Sequence, residues 1–242
     1  MISTLQAETA VKKPKLDTIP RLESGDRLTR AEFERRYAAM TKRTKAELIE
    51  GVVIMASPVS NKHSEANSLL CWWLVGYSMA TKGTRVGDNA TVLLDLDNEV
   101  QPDILLRLLK EAGGASHVAV SGYIEGAPEL IAEIAASSVS YDYHVKRHVY
   151  RRNGVREYLI WRVDDAAIDW FTLEDGEYLL LAPDEAGVIR SRVFPGLWLA
   201  ALALLAGELS TVLATLQQGV QSEAHAAFVM ELSQRLAPTQ QS

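Results

Sequence analysis

Three acidic residues of this sequence lie within or at the head of apolar stretches, where an unpaired carboxylate is costly to bury. Glu47 lies in KAELIEGVVIM, Asp103 follows Pro102 at the start of an apolar stretch, and Glu133 lies in ELIAEIA. Several carboxylates share a small space only when a cation neutralises them, and oxygen ligands suit Mg²⁺ or Mn²⁺ rather than zinc. The three residues therefore form a candidate site for one of these metals, which could polarise a phosphoryl oxygen and activate water. For Glu47, the alternative is a charge on an edge strand.

A lysine on the helix predicted after Glu133 could complete this site. Lys146 lies on the stripe of residues that should pack against the sheet, and Asp142, four residues earlier, can reach it. Lys146 could then position or help deprotonate an attacking water, or stabilise charge developing on the phosphorane. The alternative is that its methylenes cover the sheet while its ammonium reaches water.

Basic residues on the outward faces of the same helix predict a contact with nucleic acid. Arg147, Arg151 and Arg152 lie there, and His63 lies in the first turn of an earlier helix, where it could contact a phosphate or water. Clustered cations are what the phosphate backbone requires. For His63, the alternative is a solvated histidine at a helix start. A second basic cluster consists of Lys42, Arg43 and Lys45.

The periodicity of the chain places these residues on an α/β framework. Residues 129–135 alternate as a strand, so that Glu129, Ile131, Glu133 and Ala135 share one face. Strand, helix and strand then follow one another up to Trp161, and a meander of strands comes next. The other predicted elements are a helix at 29–40, a hairpin at 45–55, a helix at 60–80, strands at 84–86, 91–94 and 103–106, a flexible excursion at 111–126, and helices from Leu197 onwards.

The length of 242 residues and the 48% hydrophobic content predict one sizeable core domain with tails. We expect a disordered lead-in at residues 1–25, the core domain at 26–210, and a C-terminal helix and tail at 211–242. The lead-in lacks the apolar core of a signal peptide, and the apolar stretch from Leu197 to Ala206 is too short for a membrane span. Membrane insertion and export are therefore not expected.

The single cysteine, Cys71, excludes an internal disulfide framework and fits a reducing, cytoplasmic compartment. The net charge of −6 argues against a general polyanion-binding protein, although the two local basic clusters remain available for nucleic acid. The sequence contains no P-loop, no dinucleotide fingerprint and no zinc-type spacing of Cys and His.

Taken in order, these motifs resemble the Uma-type restriction endonuclease family of the PD-(D/E)XK nuclease superfamily. The resemblance extends from about residue 30 to about residue 205. It depends on E-L-I-E-G with Glu47, P-D with Asp103, A-E-I with Glu133, S-x4-D-x3-K-R-x2-Y-x3-G-V-x-E-Y from Ser137 to Tyr158, and F-P-G-L from Phe194 to Leu197.

The resemblance implies a restriction-endonuclease-like core, in which helices flank a central mixed β-sheet, with an added antiparallel meander and C-terminal helices. It also implies a magnesium-dependent phosphodiesterase site, with Asp103 and Glu133 as metal ligands and Glu47 as an additional acid. The superfamily's usual lysine lies two residues after the glutamate, where this chain has Ala135. Lys146 would then replace it from the following helix.

We therefore expect a metal-dependent endonuclease that acts on DNA with Mg²⁺ or Mn²⁺. The alternative is a catalytically silent nuclease fold that binds nucleic acid or a protein partner. A third interpretation, a glycosidase carboxylate pair, explains neither the lysine nor the basic helix face. Double-strand cutting would favour a homodimer, which nothing in the sequence establishes.

Overall fold

The computed structural model describes residues 19–40, 45–136 and 138–237. Lys42, Arg43 and Ser137, and most of the predicted lead-in, lie outside the described residues. Within them, the α-helices are α1 Arg30–Ala38, α2 Asn61–Ala80, α3 Arg147–Arg152, α4 Ala201–Ala206, α5 Leu209–Val220 and α6 Glu223–Leu236. A short 3₁₀-helix spans Lys110–Ala112, and a π-helix at Tyr141–Lys146 runs directly into α3.

The strands form two six-stranded sheets and one two-stranded sheet. The first sheet has the order β12-β11-β10-β9-β6-β3, the second β2-β1-β5-β4-β8-β7, and β13 pairs with β14. The bounds are β1 Ala46–Ile49, β2 Val52–Met55, β3 Thr84–Asp88, β4 Val92–Leu93, β5 Glu99–Val100, β6 Ile104–Leu108, β7 His117–Val118, β8 Ile124–Glu125, β9 Leu130–Ala135, β10 Glu157–Arg162, β11 Ala167–Glu174, β12 Glu177–Leu180, β13 Val188–Arg190 and β14 Trp198–Ala200.

The first sheet is mixed, as predicted. β9 and β10 run parallel because a helical crossover joins them, whereas β10, β11 and β12 form the predicted antiparallel meander. All six residues of β9 are buried, which is the environment of a central strand covered on both faces. The predicted α/β class, with helices flanking a mixed sheet, is confirmed.

The alternation predicted for β9 also holds, because its two faces enter different cores. Leu130, Ala132 and Ile134 pack with α2 and the C-terminal helices. Ile131 and Ala135 pack on the other side with α3 and the crossover. Glu133 shares the second face, so its carboxylate lies beneath the crossover helix.

Residues 111–126 differ from the predicted flexible excursion, because they form ordered structure. After the 3₁₀-helix, β7 and β8 pair as a hairpin, and β8 runs parallel to β4. The Glu129 carboxylate fixes the start of this segment by accepting hydrogen bonds from the backbone N–H of Leu108 at 2.7 Å and of Ala115 at 2.9 Å. A composition rich in Gly, Ala and Ser does not reveal these contacts.

The prediction of helix from Leu197 onwards is wrong for its first residues. Trp198–Ala200 form β14, and Trp73 of α2 holds this strand by donating a hydrogen bond to the Trp198 carbonyl at 3.0 Å. The predicted division at residues 210 and 211 falls inside α5 and stays a prediction. Of the helices that the structure describes, none combines the length and the apolar character that crossing a membrane requires.

Candidate active site

The hairpin of β1 and β2 places Glu47. Its two-residue turn has positive φ at Glu50 (52°) and Gly51 (72°), as a type I′ turn requires, and this turn fixes the register that pairs Glu47 with Ile54. β1 lies between β2 and β5, so the edge-strand alternative for Glu47 is wrong. The Glu47 carboxylate is buried, and one oxygen accepts a hydrogen bond from the Gln101 N–H at 2.7 Å.

Asp103 and Glu133 lie side by side because β6 and β9 are antiparallel neighbours. The Ile134 N–H donates to Asp103 Oδ2 at 2.8 Å, and the Asp103 N–H points to Glu133 Oε2 at 3.4 Å. Both side chains are buried. Each carboxylate is therefore held by the backbone of the strand that carries the other.

Lys146 lies at the centre of the carboxylates. Its Nζ is 3.0 Å from Glu133 Oε1, 3.1 Å from Glu47 Oε2 and 3.7 Å from Asp142 Oδ1. The Tyr150 hydroxyl donates a further hydrogen bond to Glu133 Oε1 at 2.7 Å. The Lys146 side chain is only 7% exposed, so the alternative in which its ammonium reaches water is wrong.

The crossover reaches this geometry through the π-helix. The sequence placed Asp142 at the edge of an α-helical stripe, yet Asp142 and Lys146 are both buried in the π-helix, while Tyr143 is only half-buried. Single π-turns are rare and often lie at functional sites. Ser138 donates a hydrogen bond to the Asp142 carboxylate and so holds it at the start of the crossover.

Electrostatics keep Lys146 charged. Burial by itself lowers the pKa of Lys146, but Glu133, Glu47 and Asp142 together raise it well above its ordinary value. The pKa of Glu133 is raised, because burial and the neighbouring Asp103, Asp142 and Glu47 outweigh the favourable charge of Lys146. The carboxylates thus carry more negative charge than Lys146 alone offsets, an imbalance that a bound cation would relieve.

Two further nitrogen-bearing side chains lie beside Asp103. His63 Nε2 is 3.2 Å from Asp103 Oδ2, and Lys45 Nζ is 3.6 Å from Asp103 Oδ1. Burial raises the pKa of Asp103, but the contacts with His63, Lys45 and the Ile134 N–H outweigh it and leave the pKa below its ordinary value. Asp103 is therefore ionised, whereas Glu133 is the carboxylate that binds a proton more readily.

These groups line one cavity of about 740 Å³. It contains all four predicted catalytic residues, and the remaining predicted site residue in its wall is His63. Sequence reasoning left Lys45 and Tyr150 out of the site, and it identified Asp142 only as a neighbour that can reach Lys146. Tyr150 could have been found from its helical spacing to Lys146, and Lys45 from its position two residues before Glu47.

The three predicted nucleic-acid-binding arginines do not line the cavity. The Arg147 guanidinium stacks on Tyr143 and Phe171, at 4.9 Å and 5.1 Å from the ring centroids. Arg151 pairs with Glu177 at 2.6 Å and Arg152 with Glu50 at 2.7 Å. Their contact with nucleic acid stays a prediction.

The donor set fits a hard divalent cation. Asp103, Glu133 and Glu47 offer only oxygen atoms, which Mg²⁺ and Mn²⁺ prefer, and the excess of negative charge favours a cation. Within residues 19–40, 45–136 and 138–237, however, no three acidic, His or Cys side chains already surround a common point for an ion. Asp103 and Glu133 are the pair that would hold the cation, because their carboxylates lie side by side and Lys146 and Tyr150 both engage the same Glu133 oxygen, Oε1.

Comparison with known proteins identifies a family and a solved structure that this chain resembles. The model of a family described as "Uma2: Putative restriction endonuclease" matches residues 30–203. A crystal structure titled as a "putative nuclease belonging to DUF820" from Anabaena variabilis ATCC 29413 has a TM-score of 0.54 and 16% sequence identity, and covers 78% of this chain and 99% of that chain. At this identity, the second match shows the fold alone. No curated protein matches the chain.

Proposed function

Because the chain belongs to the Uma2 restriction endonuclease family, we propose that it is a metal-dependent endonuclease that hydrolyses the phosphodiester bonds of DNA. The observation that carries this proposal is the convergence of Glu47, Asp103 and Glu133, with Lys146, in one cavity. Nothing in an ordinary hydrophobic core requires so many buried charges at one point.

The chemistry required is the attack of water on phosphorus. The oxygen of water bonds to phosphorus, the bond to the leaving nucleotide oxygen breaks, water loses a proton, and the leaving oxygen gains one. A Mg²⁺ or Mn²⁺ ion bound by Asp103 and Glu133 would stabilise the negative charge on the phosphoryl group and acidify the attacking water. Glu47 shares Lys146 with Glu133 and so fixes the relative positions of these side chains.

Lys146 acts here as a positioning residue rather than as a base. It is protonated and its ammonium faces three carboxylates, so it has no lone pair with which to accept a proton. Its role is to orient Glu133 and Glu47 and to reduce their mutual repulsion. Tyr150 supports the same orientation through its hydrogen bond to Glu133.

The test is the cleavage of plasmid DNA by the purified protein with Mg²⁺ or Mn²⁺. We expect cleavage by the wild type and its loss in Glu133→Ala and Asp103→Asn, because these changes remove the ligands of the cation. Asp97→Asn is the matched control, since Asp97 lies in an exposed turn outside the cavity. Cleavage that persists unchanged in both site variants would refute the site assignment.

One observation favours a second candidate, a silent nuclease fold that binds nucleic acid or a protein partner. Lys146 already neutralises part of the carboxylate charge without any metal. Calorimetric titration with Mg²⁺, in the presence and absence of DNA, separates the two functions. Heat of binding that disappears in Asp103→Asn supports the nuclease, whereas no binding under either condition supports the silent fold.

A further inference from the structure

The two lysines of the cavity have different surroundings. Lys146 is buried, and its Nζ lies 3.0 Å from Glu133, 3.1 Å from Glu47 and 3.7 Å from Asp142. A substrate oxygen at this ammonium would have to compete with these carboxylates. Lys146 is therefore engaged mainly with the protein.

Lys45 lies at the rim of the same cavity and makes one hydrogen bond within the described residues, so some of its N–H groups remain available. The Ala56 N–H bonds to the Lys45 carbonyl at 2.9 Å, which continues the β1–β2 pairing by one residue, so Lys45 and Glu47 lie on the same face. Lys45 Nζ donates to Asn89 Oδ1 at 3.0 Å and lies 3.6 Å from Asp103 Oδ1. Its side chain is 29% exposed.

The backbone and Asn89 fix the Lys45 ammonium beside Asp103, one of the proposed cation ligands. Among the described residues, Asn89 is its one hydrogen-bond acceptor, which leaves N–H bonds to donate to a ligand in the cavity. A lysine ammonium is a compact charge well suited to a single phosphate oxygen.

We propose that Lys45 binds a non-bridging oxygen of the scissile phosphate, whereas Lys146 is the buried counterion of the site. This inference rests on the proposed nuclease function and assigns the residue that contacts its substrate. Lys45 is then a catalytic residue in the strict sense, because it touches the reacting group, and Lys146 acts only through Glu133 and Glu47.

The experiment compares Lys45→Gln, Lys45→Arg and Lys62→Gln. Lys62 is the matched control, because it lines the same cavity but points to Asp164 at 3.1 Å, and both side chains of that pair are exposed. Two substrates are used, plasmid DNA and bis(p-nitrophenyl) phosphate. The second is a small diester that cannot reach a DNA-binding surface outside the cavity, so its hydrolysis reports contacts at the reacting phosphate.

Lys45→Gln should lower kcat/KM by about 100-fold on both substrates, which is the effect of removing one donor to a developing oxyanion. Lys45→Arg should recover most of this loss, and Lys62→Gln should change the hydrolysis of the small diester by only about twofold, as for an exposed ion pair. The Mn²⁺ concentration required by Lys45→Gln should be no higher than for the wild type, because the residue contacts substrate. A raised Mn²⁺ requirement that accounts for the whole loss would overturn the proposal.

A second measurement separates this inference from the proposed function. If the wild type hydrolyses neither substrate, the proposed nuclease function fails, and calorimetric titration with inorganic phosphate still tests Lys45. Phosphate binding that is weakened in Lys45→Gln but not in Lys62→Gln supports the assignment. No phosphate binding by the wild type, or equal binding by all variants, overturns it. If the wild type is active and Lys45→Gln loses no more activity than Lys62→Gln, the role assigned to Lys45 is wrong, whereas the proposed nuclease function is retained.

Discussion

At the scale of single residues, the buried ammonium of Lys146 and its carboxylates depend on one another. Removing either charge from a buried ion pair leaves its partner uncompensated, which usually costs more than the pair contributes. Lys146 faces Glu47, Glu133 and Asp142, so its loss would leave three buried carboxylates without their common cation. The stability of the cluster thus depends on keeping the lysine together with its carboxylates.

Lys146→Met should destabilise the protein by about 3–5 kcal/mol in urea unfolding, because it removes the cation and keeps a similar volume. Adding Glu133→Gln should recover part of this loss, since one carboxylate charge is then absent. Lys62→Met is the control and should cost less than about 1 kcal/mol, because its ion pair with Asp164 is exposed. Equal losses in the two single variants would contradict the proposed role of Lys146.

The loss in Lys146→Met should also depend on pH. The pKa of Glu133 is raised in the folded protein and would rise further without the lysine, so the folded state of the variant binds protons that the unfolded state releases. A raised folded pKa gives stability that is present at low pH and lost as the pH rises through it. The deficit of Lys146→Met should therefore be larger at about pH 9 than at about pH 6.

At the scale of elements, the sequence predicted what local periodicity determines. The alternation of β9 assigned Glu133 to the face under the crossover, and the helical stripe brought Lys146 to the same face. Both assignments depend only on residues that are close together in the sequence, on either side of the turn between β9 and the crossover. The position of His63 beside Asp103 could not be predicted in this way, because it depends on how the start of α2 packs over the start of β6, 40 residues further along the chain.

The F-P-G-L segment, Phe194 to Leu197, has a packing role that could not be predicted from the sequence. Gly196 has φ of +86°, and its carbonyl lies against Gly219 of α5, so that a Cβ at either glycine would overlap the backbone of the other. Tyr77 of α2 also donates a hydrogen bond to the Pro195 carbonyl at 2.9 Å. The segment therefore joins α2 and α5, on the opposite side of the first sheet from Glu133 and Lys146.

Gly219→Ala tests this contact, because the close packing predicts a loss of stability where an exposed helix would gain stability. In an exposed helix the change would stabilise by about 1 kcal/mol, but here we expect a loss of about 2 kcal/mol, because the new methyl group overlaps the Gly196 carbonyl. Gly76→Ala in α2 is the control, since its Cβ would meet only the flexible end of Leu216, at 3.1 Å. Thermal unfolding measures both variants. Stabilisation by Gly219→Ala would show that the two segments do not pack this closely.

At the scale of the whole molecule, charge pairing limits where nucleic acid can bind. The net charge is −6, and Arg151 and Arg152 of the predicted basic face are each paired with an acidic residue. A phosphate would have to compete with Glu177 or Glu50 for the guanidinium. The cavity rim differs from this arginine face, because the charged Lys45 there has N–H groups that can donate hydrogen bonds to a phosphate.

This competition provides a test of the predicted contact between DNA and the arginine face. If DNA contacts Arg151 and Arg152, replacing both with Ala should weaken the binding of a labelled duplex and reduce the salt dependence of log K by about one unit per lost contact. Glu50→Gln with Glu177→Gln should have the opposite effect, since it frees the guanidinium groups for phosphate. Fluorescence anisotropy over a series of salt concentrations, with Ca²⁺ in place of Mg²⁺ to prevent cleavage, measures both. If neither pair of substitutions changes the salt dependence, the arginines do not contact DNA, and binding depends on groups at the cavity instead.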